Sequence, residues 1–141
     1  MEMLSVYQFA MLRLLLDTHI WLWSAVEPSR LSKRVSRTLE DEKHELWLSP
    51  MSVWEALVLA RKKRVVLDPT PERWVRRALD ALPIHEAPIN HEVAIRSEAI
   101  SLGHDDPADR FLVATALVHD LTLVTADRRL VKSGHVATLA D

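Results

Sequence analysis

The sequence predicts an α/β chain with a mostly parallel central sheet flanked by helices. Three observations carry that expectation: short apolar runs that stop at an aspartate or a proline, stretches of helical length between them, and cap and turn residues at the joints. Residues 12–16 form an apolar run ending at Asp17, which reads as a buried first strand. Thr18 caps a helix over 19–26, with Trp21, Leu22 and Val26 on its apolar face, and Glu27-Pro28-Ser29 breaks it. A second helix opens at Leu31-Ser32 and runs towards Lys43. Residues 45–49 are a second strand closed by Pro50.

Ser52 begins a helix carrying Val53, Trp54, Ala56, Leu57 and Ala60, with Glu55 among them, which ends in Arg61-Lys62-Lys63-Arg64. After an extended 65–67, Thr70 is a cap and Pro71 takes the first helical position of a helix reaching Leu82. Residues 84–88 make a short third strand. Asn90 caps a helix that continues to Leu102 and stops at Gly103. Asp106-Pro107-Ala108-Asp109 opens the helix over 110–119, and 121–125 is the clearest strand of the chain, with Asp127 just past its end. A short helix near Arg129 and a strand over 136–139 complete the order. No linker, repeat or low-complexity stretch divides residues 11–141, which read as a single domain. Residues 1–10 precede a second in-frame Met11 and read as an extension without function.

Composition narrows the chemistry. The chain has 141 residues, 48% of them hydrophobic and 27% charged, and 18 Lys+Arg against 20 Asp+Glu give a net charge of −2 that selects no partner. It contains no cysteine, which excludes disulfide scaffolds, thiolate zinc sites, iron–sulfur clusters and cysteine nucleophiles. Its two glycines, Gly103 and Gly134, are too few for a Walker A loop, a dinucleotide fingerprint or a nucleophile elbow. No apolar run is long enough for a membrane helix and no signal-peptide pattern opens the chain, so the expectation is a cytoplasmic protein with no membrane partner.

Carboxylates are what remains. In an open parallel sheet the ligand site lies beyond the carboxyl ends of the strands. Asp17 and Asp127 follow two strands there, and helices can deliver Glu55 and Asp109 to the same edge. Each acid alone has a plain structural reading: Asp17 a cap, Glu55 an ion-pair partner, Asp109 a first-turn acid favoured by the helix dipole, Asp127 a turn residue. Asp106 is read as the cap and left outside the site. Taken together, four acids at one edge repel each other severely unless a divalent cation is present, and Glu55 in so apolar a setting needs neutralising. An all-oxygen set suits Mg²⁺, with Mn²⁺ as substitute, rather than zinc, and the seven histidines show no zinc-like spacing. Such clusters are a common device for phosphodiester hydrolysis.

Four segments carry a resemblance: Leu-Leu-Leu-Asp17-Thr18-His19-Ile-Trp21-Leu-Trp23; Ser49-Pro-Met-Ser52-Val-Trp54-Glu55; His104-Asp-Asp106-Pro107-Ala-Asp109-Arg110; and Leu-Val-Thr125-Ala-Asp127. In this order, from Met11 onward, the chain resembles the PIN-domain ribonucleases and, within them, the VapC toxins of bacterial toxin–antitoxin pairs. The resemblance implies a PIN-like three-layer sandwich. It also implies Mg²⁺ on Asp17, Glu55, Asp109 and Asp127, an RNA substrate, a VapB-type antitoxin that docks on the toxin and blocks the metal site, and a homodimer formed through helical surfaces. The chain departs from the family where Ala108 stands in place of a bulky aromatic and where a glycine is common near Lys63.

Around the acids, Thr18 and Thr125 either orient carboxylates or serve capping and strand packing. Ser52 is read as a helix cap, and His19 and His104 as solvated or packing residues. Arg110 either holds the acids or a phosphate, or forms an ordinary ion pair. Of the basic runs 61–64, 76–77 and 128–129, Arg128-Arg129 is best placed to steer RNA, the others being solvated helix ends. The five tryptophans read mainly as core. The expectation is therefore a Mg²⁺-dependent endoribonuclease. Its rivals are a catalytically inactive PIN-like protein-binding module and, ranked lowest, a phosphatase.

Overall fold

Alternation along β1 (Arg13–Leu16) sets up the layers: Leu14 and Leu16 enter one apolar cluster and Leu15 the other, as befits a strand covered on both faces. The computed structural model describes residues 10–141, so the reading of residues 1–10 as an extension falls, but for Ala10, outside the described residues. After β1 come α1 (Thr18–Val26), α2 (Lys33–Glu40), β2 (Glu45–Leu48), α3 (Pro50–Arg61), α4 (Pro71–Ala81) and β3 (Ile84–Glu86). They are followed by α5 (His91–Glu98), α6 (Pro107–Val118), β4 (Thr122–Thr125), α7 (Arg128–Ser133) and β5 (Thr138–Ala140). The five strands pair in parallel in the order β3-β2-β1-β4-β5. Ile20, Trp21, Val35, Ala56 and Val75 bring α1 to α4 into the cluster of Leu14 and Leu16. Val93, Val113, Ala114 and Leu130 bring α5, α6 and α7 into the cluster of Leu15. The fold is the α/β three-layer arrangement the sequence predicts.

Most caps fall as expected. Thr70 Oγ1 accepts from the Arg73 amide at 3.2 Å, Asn90 Oδ1 from the Val93 amide at 2.9 Å, and Asp106 Oδ1 from the Ala108 amide at 3.0 Å. Two caps differ. Asp17, not Thr18, caps α1, and α3 begins at Pro50 with Ser49 as its cap, so Ser52 lies inside the helix and is buried. Two helices are shorter than their sequence pattern. α2 ends at Glu40 rather than near Lys43, and α5 ends at Glu98, where Ile100 dips into the core and leaves Gly103, at φ 77°, in a loop. Val26 is exposed, and so is Trp54, 58% of whose surface is open, against the expectation that the tryptophans are core. No helix among the described residues is long and apolar enough to cross a membrane.

Strand order places the site. The chain starts at the centre in β1, adds β2 and β3 on one side, then crosses to β4 and β5 on the other. β1 and β4 therefore flank the topological switch point, where the connections leave in opposite directions and open a crevice at the carboxyl edge. The junction is tight: the Asp17 amide donates to the Val124 carbonyl at 3.0 Å.

Candidate metal centre

Asp17 follows β1 and Asp127 follows β4, so both stand at the switch point. α6 leads into β4 from the opposite direction, which puts its first turn, with Asp109, at the same edge. Glu55 comes from α3, whose start is tied to α1 by the Thr18 hydroxyl donating to Ser52 Oγ at 3.0 Å. Charge interactions link the four, although the ligand atoms that lie within 4.8 Å of one another among the described residues are those of His104, Asp106 and Asp109. Burial raises the Asp17 pKa, against the hydrogen bonds from Thr125 and Thr18, and Asp127 adds its repulsion. Burial and then the charges of Asp17, Asp109 and Asp106 push Glu55 up to about 7, with Thr18 pulling the other way. Asp109 is raised by burial and by Asp106, Asp17 and Asp127, with His104 pulling the other way. Asp127 alone is lowered, chiefly by its hydrogen bonds from Arg129.

The two threonines left open by the sequence act on the acids. Thr125 Oγ1 donates to Asp17 Oδ2 at 2.7 Å and accepts from the Asp127 amide at 3.0 Å, so one buried hydroxyl joins the two switch-point aspartates. The other oxygen of Asp17 accepts from the Thr18 amide at 2.7 Å.

Two participants were missed. His104, read as solvated or packing, contacts Asp109 Oδ2 through Nε2 at 2.9 Å and the Leu102 carbonyl through Nδ1 at 3.2 Å. Asp106, set aside as a cap, does cap α6, yet His104, Asp106 and Asp109 each offer a ligand atom within 4.8 Å of the others. The signal for His104 was its place after Gly103, whose left-handed backbone turns the chain at the entrance to α6. On the basic side, Arg129 rather than Arg128 reaches the acids, with Nη2 2.9 Å from Asp127 Oδ2 and 3.8 Å from Asp109 Oδ2. Arg110 turns away, pairing with Asp105 at 3.4 Å and Glu98 at 4.0 Å. His19 is exposed, with its ring 5.8 Å from that of Trp23.

The donor set fits a hard divalent cation. Apart from the His104 imidazole it is carboxylate oxygen, and three of its carboxyls hold their protons more tightly, through burial first and then through the charge of neighbouring carboxylates, a repulsion that a cation would relieve. A groove of about 1210 Å³ lies elsewhere. Trp21, Leu31, Leu39, Trp74, Leu82 and Ile84 are among its walls, and none of the four acids lines it.

Comparison with known proteins places the fold. The PIN domain family matches residues 14–135. Ribonuclease VapC22 of Mycobacterium tuberculosis is 33% identical over 128 residues, covering 89% of this chain and 95% of the relative. Among solved structures, VapBC2 from Rickettsia felis bound to a DNA fragment from its promoter superposes with a TM-score of 0.68 at 13% identity, over 92% of this chain and 98% of the other. FitAcB from Neisseria gonorrhoeae superposes with a TM-score of 0.60 at 22% identity, over 89% and 96% of the two chains. With that match covering most of the chain and all four acids, the chain belongs to the PIN domain family.

Proposed function

We propose that this chain is a Mg²⁺-dependent endoribonuclease, with Mn²⁺ able to substitute, that acts as the toxin of a toxin–antitoxin pair. Asp17, Glu55, Asp109 and Asp127 are its ligand set, and residues 11–141 make up its single PIN domain. The observation that carries the reading is the switch-point cluster, in which Asp17, Glu55 and Asp109 are all raised by burial and by neighbouring carboxylates. RNA as substrate is supported by the ribonuclease relative at 33% identity.

When bound, the cation supplies an acidified water and neutralises charge on the leaving oxygen. The protein's own groups fix where that happens. Thr125 orients Asp17 Oδ2 and the Asp127 backbone together, which pins the carboxylates of two strands to one geometry. Thr18 and Ser52 couple α1 to α3, the helix that carries Glu55. His104 orients Asp109 through Oδ2. Leu16 and Val124, the buried residues at the ends of β1 and β4, anchor the strand ends that carry the acids in the core.

The antitoxin partner is supported by the toxin–antitoxin complexes among the structural relatives. The 1210 Å³ groove has apolar walls, and the exposed acids Glu40, Asp41, Glu42 and Asp68 also line it, which suits an amphipathic segment bearing basic side chains. A homodimer is supported by the open apolar surface of Trp54 on α3 and Ile95 on α5.

The test is RNA cleavage by the purified protein with Mg²⁺ or with EDTA, alongside Asp17→Asn and Asp109→Asn. Cleavage in Mg²⁺ that stops in EDTA and in both variants is expected. Variants that cut at the wild-type rate would overturn the reading. Thermal stabilisation by Mg²⁺ separates it from an inactive binding module, which would show none.

A further inference from the structure

The acids of the candidate centre already carry a cation of the protein's own. Arg129 meets Asp127 as a fork, with Nε 3.2 Å from Oδ1 and Nη2 2.9 Å from Oδ2, and Nη2 extends to 3.8 Å from Asp109 Oδ2. The guanidinium lies on the solvent side of these acids: the Arg129 side chain is 59% exposed, against 26% for Asp127 and 18% for Asp109. It thus covers oxygens on two of the four carboxylates assigned to the divalent cation. Two cations cannot share them closely. Like charges this close repel, more so when one is divalent, although solvent around the exposed guanidinium screens the effect.

The fork is not needed to hold Asp127 in place. The Asp127 carboxylate caps α7 through the Arg129 backbone amide at 2.9 Å, and the Asp127 amide is held by Thr125 at 3.0 Å. The guanidinium can therefore leave while the carboxylate stays put. With most of its side chain exposed, the guanidinium is open to a polyanion in solvent. A planar fork that fits a carboxylate also fits a phosphate.

We propose that Arg129 is a substrate-positioning residue that exchanges partners: its guanidinium balances Asp127 and Asp109, yields those oxygens to the divalent cation, and then takes an RNA phosphate next to the cleavage point. The proposal rests on the metal-nuclease reading and adds to it an internal competitor that sets how much cation the site requires. Arg128, the neighbour favoured by sequence position, is exposed and makes none of these contacts with the acids, so it serves as the charge-matched control.

Two binding measurements test it without relying on turnover. Mn²⁺ titrated into the full chain by calorimetry should bind Arg129→Gln roughly three- to tenfold more tightly than wild type, and Arg128→Gln within about twofold of wild type. A short fluorescein-labelled single-stranded RNA of mixed sequence, held in Ca²⁺ and checked by gel to be intact, should bind Arg129→Gln more weakly. Its affinity should also depend less steeply on salt, the logarithmic slope falling by about 0.7. Arg129→Lys should restore the slope but not the full affinity, since a point charge replaces the fork. Mn²⁺ affinity unchanged in Arg129→Gln would show that the fork does not compete, and an unchanged salt slope would show that Arg129 never meets phosphate; either result overturns the proposal. Wild-type protein that binds no Mn²⁺ would instead remove the metal-nuclease reading itself, and this inference with it.

Discussion

The Thr125 hydroxyl donates to Asp17 Oδ2 at 2.7 Å, across the pair of strands where the sheet topology reverses. Because Thr125 Oγ1 also accepts from the Asp127 amide, one side chain on β4 ties the Asp17 carboxylate after β1 to the Asp127 backbone after β4. Thr125→Val keeps the shape and removes both bonds. Thr125 is fully buried, so the unsatisfied groups left behind should cost about 1–3 kcal/mol in urea denaturation. RNA cleavage at saturating Mg²⁺ should fall roughly 10- to 100-fold, the usual cost of losing a group that orients a ligand. Thr125→Ser, which keeps the hydroxyl, should recover most of the rate. A valine variant as active as wild type would reduce Thr125 to strand packing.

Lys63 ends α3 in the left-handed region at φ 59°. Its amide donates to the Ala60 carbonyl at 3.0 Å, and the Arg64 amide to the Leu59 carbonyl at 2.9 Å, the paired bonds of a Schellman cap. Glycine is the residue that cap favours, and lysine sits there at the cost of a crowded Cβ. Lys63→Gly should therefore stabilise the chain by about 0.5–1 kcal/mol, raising the melting temperature by roughly 2–4 °C. A fall in melting temperature would refute this.

That cap also shows where sequence reading reaches its limit. The strands were legible because each is an apolar run stopped by a polar residue, and Thr70, Asn90 and Asp106 cap as their sequence neighbours dictate. The four acids were legible because parallel topology sends the ends of strands and the starts of helices to one edge. α3 and α6 end instead on Lys63 and Asp120 in left-handed conformation, so no glycine marks either end. Glycine did appear at 103, but the chain had already left the helix to bury Ile100. Partner choice was the other gap. Arg110, Arg128 and Arg129 all sit beside acids in sequence, and only the turn into α7 selects Arg129 for Asp127 and Asp109. Trp54 reads as core by composition, yet its position on α3 faces outwards.

The outward face of Trp54 makes the proposed homodimer testable. Trp54→Glu puts a charge where a second copy would bury an indole, and charged residues are depleted at the centres of such interfaces. Light scattering behind gel filtration should move from the dimer mass to the monomer mass, with the far-ultraviolet circular dichroism unchanged because the residue is 58% exposed. Wild-type protein that elutes as a monomer at micromolar concentration would count against the dimer.

Glu55 gives the sharpest pH dependence. Its carboxyl is pushed from 4.5 to about 7, by burial first and then by Asp17, Asp109 and Asp106. A carboxyl whose folded pKa exceeds its unfolded one binds its proton more tightly in the native state. Its contribution to stability is thus fully present below about 4.5, is lost as pH climbs, and is gone above about 7. In EDTA, wild-type and Glu55→Gln proteins should melt at similar temperatures near about pH 4.5, and the variant should become progressively the more stable towards about pH 8. Mg²⁺ reverses the sign for the wild type, because a bound cation favours the carboxylate over the acid. The Mg²⁺-induced rise in melting temperature should therefore grow with pH through about 7 in wild type and be much smaller, with no such growth, in Glu55→Gln. Parallel melting curves for the two proteins across that range, with and without Mg²⁺, would mean that Glu55 neither carries the perturbed proton nor faces the cation.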